Sequence, residues 1–364
     1  MNETQRLLED MVARLLADGV DPTVLAEAER GRWPEALWRL AETQGLTQPL
    51  LPGERGGMGA TWHDAFVIVR AAGRRCAPIP LAETIVAGWL LAAVGLEVPA
   101  GPLSLAGAHP EDRLHLAPAG AGWRLSGAAR RVPWGRVAGS VVLALRHQGD
   151  TLVVRAPSEG CAIEGGTNLA GEWRDTLVFR DQPVEAAPWA RTLMDDLVQV
   201  VGAMARSAQM AGALAAVLER SVAHAKDRHQ FGRPIGKHQA VQQNLAVLAA
   251  EVAAAQVAAE AAFLAADQGD PSFLASAAKA RAGLAVSQAV GLAHQVHGAI
   301  GFALEHPLQW ATRRLLSWRT EFGGDRQWAV ILGQRILDVG ADGFWPHLAT
   351  RSAPPIPEAC QAQT

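Results

Sequence analysis

Arg228-His229-Gln230-Phe231-Gly232-Arg233-Pro234-Ile235, followed by the polar pair His238-Gln239, lies between two long apolar stretches of helical periodicity. Its parts do different jobs. Arg228 offers a fixed-charge fork of the kind that grips pyrophosphate. Gln230 can hydrogen-bond a planar heterocycle, and Phe231 can stack on one. Gly232 and Pro234 break the first helix and turn the chain into the next. Roughly 60 residues later comes Gln295-Val296-His297-Gly298-Ala299-Ile300-Gly301-Phe302, and then Glu305-His306-Pro307-Leu308. Any one of these runs is a weak signal. Three in register are strong.

At 364 residues the chain exceeds one ordinary hydrophobic core and suits two or three packed domains. An apolar fraction of 49% with a net charge of -3 predicts a soluble globular protein. No broad basic field recommends a nucleic-acid partner. The cations are nearly all Arg, with Lys only at 226, 237 and 279, a compositional habit rather than a binding surface. Cys76, Cys161 and Cys360 are scattered and lack C-x-x-C spacing. Neither a disulfide framework nor a zinc site is expected, and a cytoplasmic location is. Met1–Arg6 carries Glu3 and leads into an amphipathic pattern, which argues against a signal peptide. Ala240–Ala266 is apolar enough for a membrane span, but Glu251, Glu260 and three Gln residues interrupt it. A helix buried inside a bundle is expected there, and no membrane partner.

The texture divides the chain into an N-terminal helical domain over 1–98, a middle β domain over 99–188, a C-terminal helical bundle over 189–345 and a disordered tail over 346–364. Leu7, Leu8, Met11, Leu15 and Leu16 set a helical period in the first part, and Pro22, Pro34, Pro49 and Pro52 separate short helices. Runs at 123–127, 140–145, 151–154 and 176–179 read as short strands bounded by Gly, Pro and Asp, implying a small antiparallel β domain. Helices follow at about 191–226, 238–267, 271–297, 306–319 and 325–338, an antiparallel bundle by their lengths and short links. Gly53–Gly59 is a Gly-rich loop without the Lys-Ser/Thr of a phosphate loop.

The three motifs resemble R-x-Q-F-G-x-P-I, Q-x-x-G-G-x-G-F and E-x-P-L of the acyl-CoA dehydrogenase family. The resemblance, with its order of α domain, β domain and α bundle, covers essentially the full chain. It implies FAD as cofactor and α,β-dehydrogenation of an acyl-CoA thioester, with electron-transfer flavoprotein as acceptor. The family's members are dimers of dimers with shared flavins, so it also implies that Arg228, Gln230, Phe231, Gln295, Gly298 and Ala299 serve a neighbour's cofactor. Ala299 stands where the family has a second Gly, which is tolerable only if the backbone there needs no positive φ. Taken alone, Arg228 reads as a solvated helix-end Arg capping carbonyls; the neighbouring motifs favour the pyrophosphate role instead.

Two departures fall on one site. Where the family's cradle reads T-E-P-x-x-G-S-D, this chain has Leu105–Arg113, a short stretch without those Ser/Thr donors. Where the family reads K-x-W-I-T-N it has Arg130–Gly135, and Trp134 is either displaced flavin packing or a buried brace of the β domain. The family's usual catalytic carboxylate aligns with Gly323 and its alternative one with Gly202. Glu321 is the candidate base, Asp325 is a second candidate or a helix cap, and a chain with no base is the third possibility. His294, His297 and His306 lack a carboxylate in ligand register, so no metal is expected.

Keeping a donated arm while losing a cradle and a base implies one subunit of an α2β2 acyl-CoA dehydrogenase. It would complete a shared flavin site with a homologous partner, as in enzymes for sterol-derived or other bulky acyl-CoAs. The alternatives are a homotetramer using Glu321 and a non-redox or structural pseudoenzyme of the same fold. Ala203, Ala205, Ala208 and Gly212 fit either a wide substrate or close helix packing.

Overall fold

The computed structural model describes residues 3–120, 122–190 and 196–352. Five helices build the first part: α1 (Glu3–Gly19), α2 (Pro22–Glu29), α3 (Glu35–Thr43), α4 (Trp62–Arg75) and α5 (Leu81–Ala93). Their starts follow from local chemistry. Asp21 caps α2 with Pro22 at its first position, and Thr61 with Asp64 closes a capping box on α4. Asp267 then receives the Trp62 and His63 amides at 2.7 and 3.1 Å, fastening the start of α4 to the bundle.

The middle holds β1 (Leu103–Leu105), β2 (Arg113–Ala119), β3 (Gly122–Pro133), β4 (Ser140–His147), β5 (Asp150–Pro157), β6 (Ala162–Glu164) and β7 (Arg174–Pro188). Strand order is β1-β4-β5-β7-β3-β2, with β6 also on β7. Gln148 and Gly149, at φ 52° and 97°, make the tight β4–β5 hairpin. The expectation of a purely antiparallel domain needs one correction, since β1 runs parallel to β4. The chain enters β1 from a helix rather than from a hairpin, so no tight turn dictates its direction. Leu125, Val141, Leu143, Val154, Leu177 and Phe179 form the core of the sheet.

The last part contains α6 (Leu197–Asp227), a two-residue hairpin of β8 (His229–Gln230) and β9 (Arg233–Pro234), α7 (Gln239–Asp267), α8 (Ser272–His297), α9 (Leu308–Trp318), α10 (Asp325–Val339) and α11 (Ala341–Ser352). Helix α6 is the axis, packed by α4, α7, α8 and α9. The expected start of the first bundle helix at 191 lies outside the described residues, and Cys360 does too. Two expectations are corrected. The tail does not begin at 346, because α11 continues to Ser352 around Pro346, while 353–364 lie outside the described residues. Helix α7 is also less buried than its composition suggested. It packs Leu248, Val252, Ala255, Ala259 and Ala262 inward but leaves Val247, Val257 and Leu264 exposed. Alanine is small enough to sit on either face, so composition hides which side is covered. By length and composition alone, α6 and α7 could each cross a membrane, but the apolar window of α6 is 94% buried inside the fold.

Helices α4 and α6 cross at reciprocal glycines. A Cβ on Gly73 would stand 2.1 Å from the Gln209 carbonyl oxygen, and one on Gly212 would stand 2.0 Å from that of Arg70. Close backbone packing therefore accounts for Gly212. Gly→Ala inside a helix ordinarily stabilises by about 1 kcal/mol. Here Gly73→Ala or Gly212→Ala should instead lower the unfolding free energy by about 1–3 kcal/mol, read by urea denaturation.

Candidate functional site

A cavity of about 390 Å³ opens between Leu105–Pro110, Arg130–Pro133 and the turn Thr320–Gly324. The first two of these segments are those that the resemblance aligns with the family's cofactor cradle. The one hydroxyl among the cavity's described lining residues is already engaged: Thr320 donates to the Ser317 carbonyl at 3.1 Å. Trp134 does not face a ligand. It is buried edge-on to Trp33 and Trp173, with ring centroids 6.3 and 5.7 Å away, and braces the β domain.

Glu321 is the one carboxylate among the described residues lining this cavity. Both its oxygens are taken. Arg174 donates to them at 2.7 and 3.0 Å, Arg206 at 2.7 Å and Asn168 at 3.2 Å. Burial alone would raise its pKa, but Arg174 and Arg206 outweigh it and hold the group at about 2. A general base for neutral pH needs a carboxyl tuned upward with a free lone pair. Glu321 has the reverse: it is an anchor. The network runs on through Arg206 to Glu83 at 2.6 Å, and through Arg174 to Glu172, which also receives Arg314 and Trp318.

The two alternative base positions are closed. A side chain on Gly323, at φ 86°, would meet Trp328 Nε1 at 2.6 Å and Gln199 Nε2 at 3.0 Å. One on Gly202 would meet the Phe322 ring at 2.3 Å. Phe322 itself sits at φ 51°, an unfavourable conformation for a bulky residue, with the Arg206 guanidinium 5.4 Å from its ring centroid. Lys279 fixes this turn from below, donating to the Arg319 and Gly323 carbonyls at 2.7 and 2.6 Å. Burial brings its pKa down to about 7. Asp325 is neither a free base nor the cap of α10. Gly324 is the cap residue, and Arg319 grips Asp325 at 3.0 and 2.9 Å.

The other candidate residues face outward. Phe231 and Gly232, at φ 53° and 76°, form the tip that joins β8 to β9, and Phe231 is 91% exposed. Arg228 and Gln230 are exposed beside it. Arg228 is the C-cap residue of α6 through its backbone amide, which donates to the His224 carbonyl at 2.8 Å, and among the described residues its guanidinium makes no hydrogen bond to a helix carbonyl. On the second loop Gln295, Gly298 and Ala299 are exposed. Gly298 takes the positive φ of 64° that ends α8, and Ala299 is not among the residues at positive φ. Its methyl group is thus accommodated. Neither loop reaches the chain's own cavity. Among the described residues, no group of three or more His, Cys, Asp or Glu side chains is placed to hold a metal.

Sequence reasoning missed the clamp around Glu321, the plug Phe322 and the pin Lys279. A signal existed for two of them: Arg206 and Lys279 are cations set among small and apolar residues of Ala-rich helices. Such residues need buried partners.

Fold and site together define a family. The profile described as "Acyl-CoA dehydrogenase, N-terminal domain" matches residues 2–98, and "Acyl-CoA dehydrogenase, C-terminal domain" matches 200–337. The chain belongs to the acyl-CoA dehydrogenase family, whose cofactor is FAD. It is 28% identical to acyl-CoA dehydrogenase IpdE2 of Mycolicibacterium smegmatis over 85% of this chain and 91% of the relative. A variant of the Tcur3481-Tcur3483 steroid ACAD superposes with a TM-score of 0.84 at 25% identity, covering 92% of this chain and 98% of that one. The ChsE4-ChsE5 complex of Mycobacterium tuberculosis has a chain of the same fold, at a TM-score of 0.86 and 21% identity, covering 94% and 99%.

Glu321→Gln should lower stability by about 3–5 kcal/mol at pH 7, because two buried guanidinium groups lose a shared anion. The folded pKa near 2 lies below the ordinary 4.5. The stabilisation from Glu321 is therefore complete above pH 4.5 and fades as pH falls towards 2. Urea unfolding of wild type and variant across pH 2–6 should show the two converging in acid.

Proposed function

We propose that this chain is a subunit of a heteromeric FAD-linked acyl-CoA dehydrogenase, completing a flavin site that a homologous subunit holds. One observation carries the reading. The residues assigned to a neighbour are exposed, while in the chain's own half Phe322, Trp328 and Gln199 block the base positions Gly202 and Gly323, and Glu321 is clamped. The residues fit FAD differently in the two halves. The cradle offers neither free hydroxyl donors nor a base, so the chain's own cavity is not assigned a flavin. The arm offers a fork-shaped cation, an amide and an exposed ring within a few residues.

FAD held in the shared site would supply a hydride acceptor for the substrate's β-carbon, and a carboxylate would be needed there as base for the α-proton. This chain's contribution is binding and alignment. Arg228 would pair with the pyrophosphate, Gln230 and Phe231 would lie along the adenosine half, and Gln295 with the Gly298–Ala299 backbone would close the second loop. The base belongs to the partner. The names of the steroid relative and of the two-chain complex support a sterol-derived or other bulky acyl-CoA and an α2β2 assembly. Val247, Val257 and Leu264, left bare on α7, supply apolar surface for assembly. Electron-transfer flavoprotein is the proposed acceptor and the cytoplasm the proposed location. A homotetramer using Glu321 is disfavoured by the two guanidinium groups on that carboxylate.

The purified solitary chain should lack a flavin visible spectrum, whereas co-expression with the homologous subunit should give a yellow complex that acyl-CoA bleaches. Stoichiometric flavin in the solitary chain would sink the proposal, and flavin that substrate never bleaches would favour a non-redox role. Arg228→Ala should cut flavin retention of the complex about tenfold or more while leaving its melting temperature unchanged.

A further inference from the structure

Four histidines from three separate elements converge beneath the two outward loops. His224 lies on the last turn of α6, one turn before Arg228. His294 and His297 lie on the last turns of α8, with His297 directly before Gly298. His306 lies between the second loop and α9. The His224 and His297 rings stack at 4.5 Å, His306 meets His297 edge-on at 5.0 Å, and His294 stacks at 4.2 Å on Phe302 of the second loop. The root of the arm and the root of the loop therefore rest on ring-to-ring contacts of imidazoles.

Their hydrogen bonds fit the neutral rings. The His297 Nδ1–H donates to the Ala293 carbonyl at 2.8 Å, leaving Nε2 as a buried lone pair with no partner. His306 Nδ1 accepts from the Leu308 amide at 3.2 Å. His294 Nδ1 is buried without a partner as well. The charged neighbours are mostly cations: Arg220 on α6 and Arg228 just past its end, against Asp227 alone, which favours the charged form of His224 only. Burial pushes all four pKa values down from the ordinary 6.5; repulsion from neighbouring rings adds to this for His224, His294 and His306, and Arg220 adds to it for His297 and His306.

We infer that these four histidines are positioning residues that hold the arm and the second loop in place only while uncharged, making the donated half of the flavin site proton-sensitive. The inference rests on the heteromeric reading for its effect on flavin, but the loosening itself belongs to this chain. The sign follows from linkage. A histidine whose pKa is depressed in the packed state binds more protons when the packing opens. The packed form is therefore favoured above pH 6.5 and loses ground as pH falls below it. Opening that lets several of these rings protonate takes up more than one proton, which steepens the loss.

The test has two arms. In the solitary chain, hydrogen exchange corrected for its intrinsic pH dependence should show residues 224–238 and 294–306 losing protection about tenfold between pH 7.5 and 5.5, while α4 and α5 hold theirs. His224→Phe keeps the ring stack without a titratable group, and His306→Asn keeps an acceptor for the Leu308 amide. Either should blunt the loss, and the second guards against a folding failure in the first. In the co-purified complex, flavin retention should fall over the same range and fall less in the variants. Loss of protection that is absent, or equal in wild type and both variants, overturns the inference whatever the fate of the heteromeric reading. Loops that loosen as expected in a complex whose flavin is unaffected overturn the link to flavin alone.

Discussion

The double clamp of Arg174 and Arg206 on Glu321 is the interaction on which the rest depends. Arg174 belongs to a strand of the sheet, Arg206 to the central helix, and Glu321 to the turn beneath the cavity. Through Glu83 and Glu172 the same network reaches α5 and α9. Three carboxylates and three guanidinium groups thus neutralise one another inside a region otherwise built from Ala, Leu and Val. Such a cluster is a poor source of net stability compared with apolar packing, but removing any single member leaves a buried charge. Its effect is to set register: sheet, helix and turn meet in one arrangement or not at all.

That arrangement decides what the cavity can do. With Glu321 drawn towards the sheet and the axial helix, the following residue swings its ring over Gly202 and holds a left-handed backbone to do so. Lys279 then ties down the carbonyls on either side of the turn. The turn is pinned and its one carboxylate is held as the anion by two guanidinium groups, so it is not available as a general base. The outward loops show the opposite economy of structure, since they bear their polar groups and an aromatic ring into solvent.

The fold was legible in the sequence wherever local rules decide it. Gly232 and Pro234 announced the break between two long helices, and Gly, Pro and Asp marked the bounds of the short strands. The helical period of Leu7–Leu16 marked the first domain. The face of α7 was not legible, because alanine satisfies both a covered and a bare side. The parallel β1–β4 pair was hidden because no turn links the two strands. In the site, Gly323 and Gly202 already showed that the usual carboxylates were missing. What replaced them did not show, since the contacts of Glu321 span 115, 147 and 153 residues. Loop-closure distances of that size leave no spacing pattern to read.

The blocked glycines also bear on how such a chain can change over generations. A carboxylate introduced at 323 collides with Trp328 and Gln199, and one at 202 collides with Phe322. A side chain at either position therefore requires its neighbours to shift or be replaced. For a subunit of the proposed kind, dependence on its partner is entrenched: selection can refine the pair, but point mutation cannot easily return this chain to self-sufficiency.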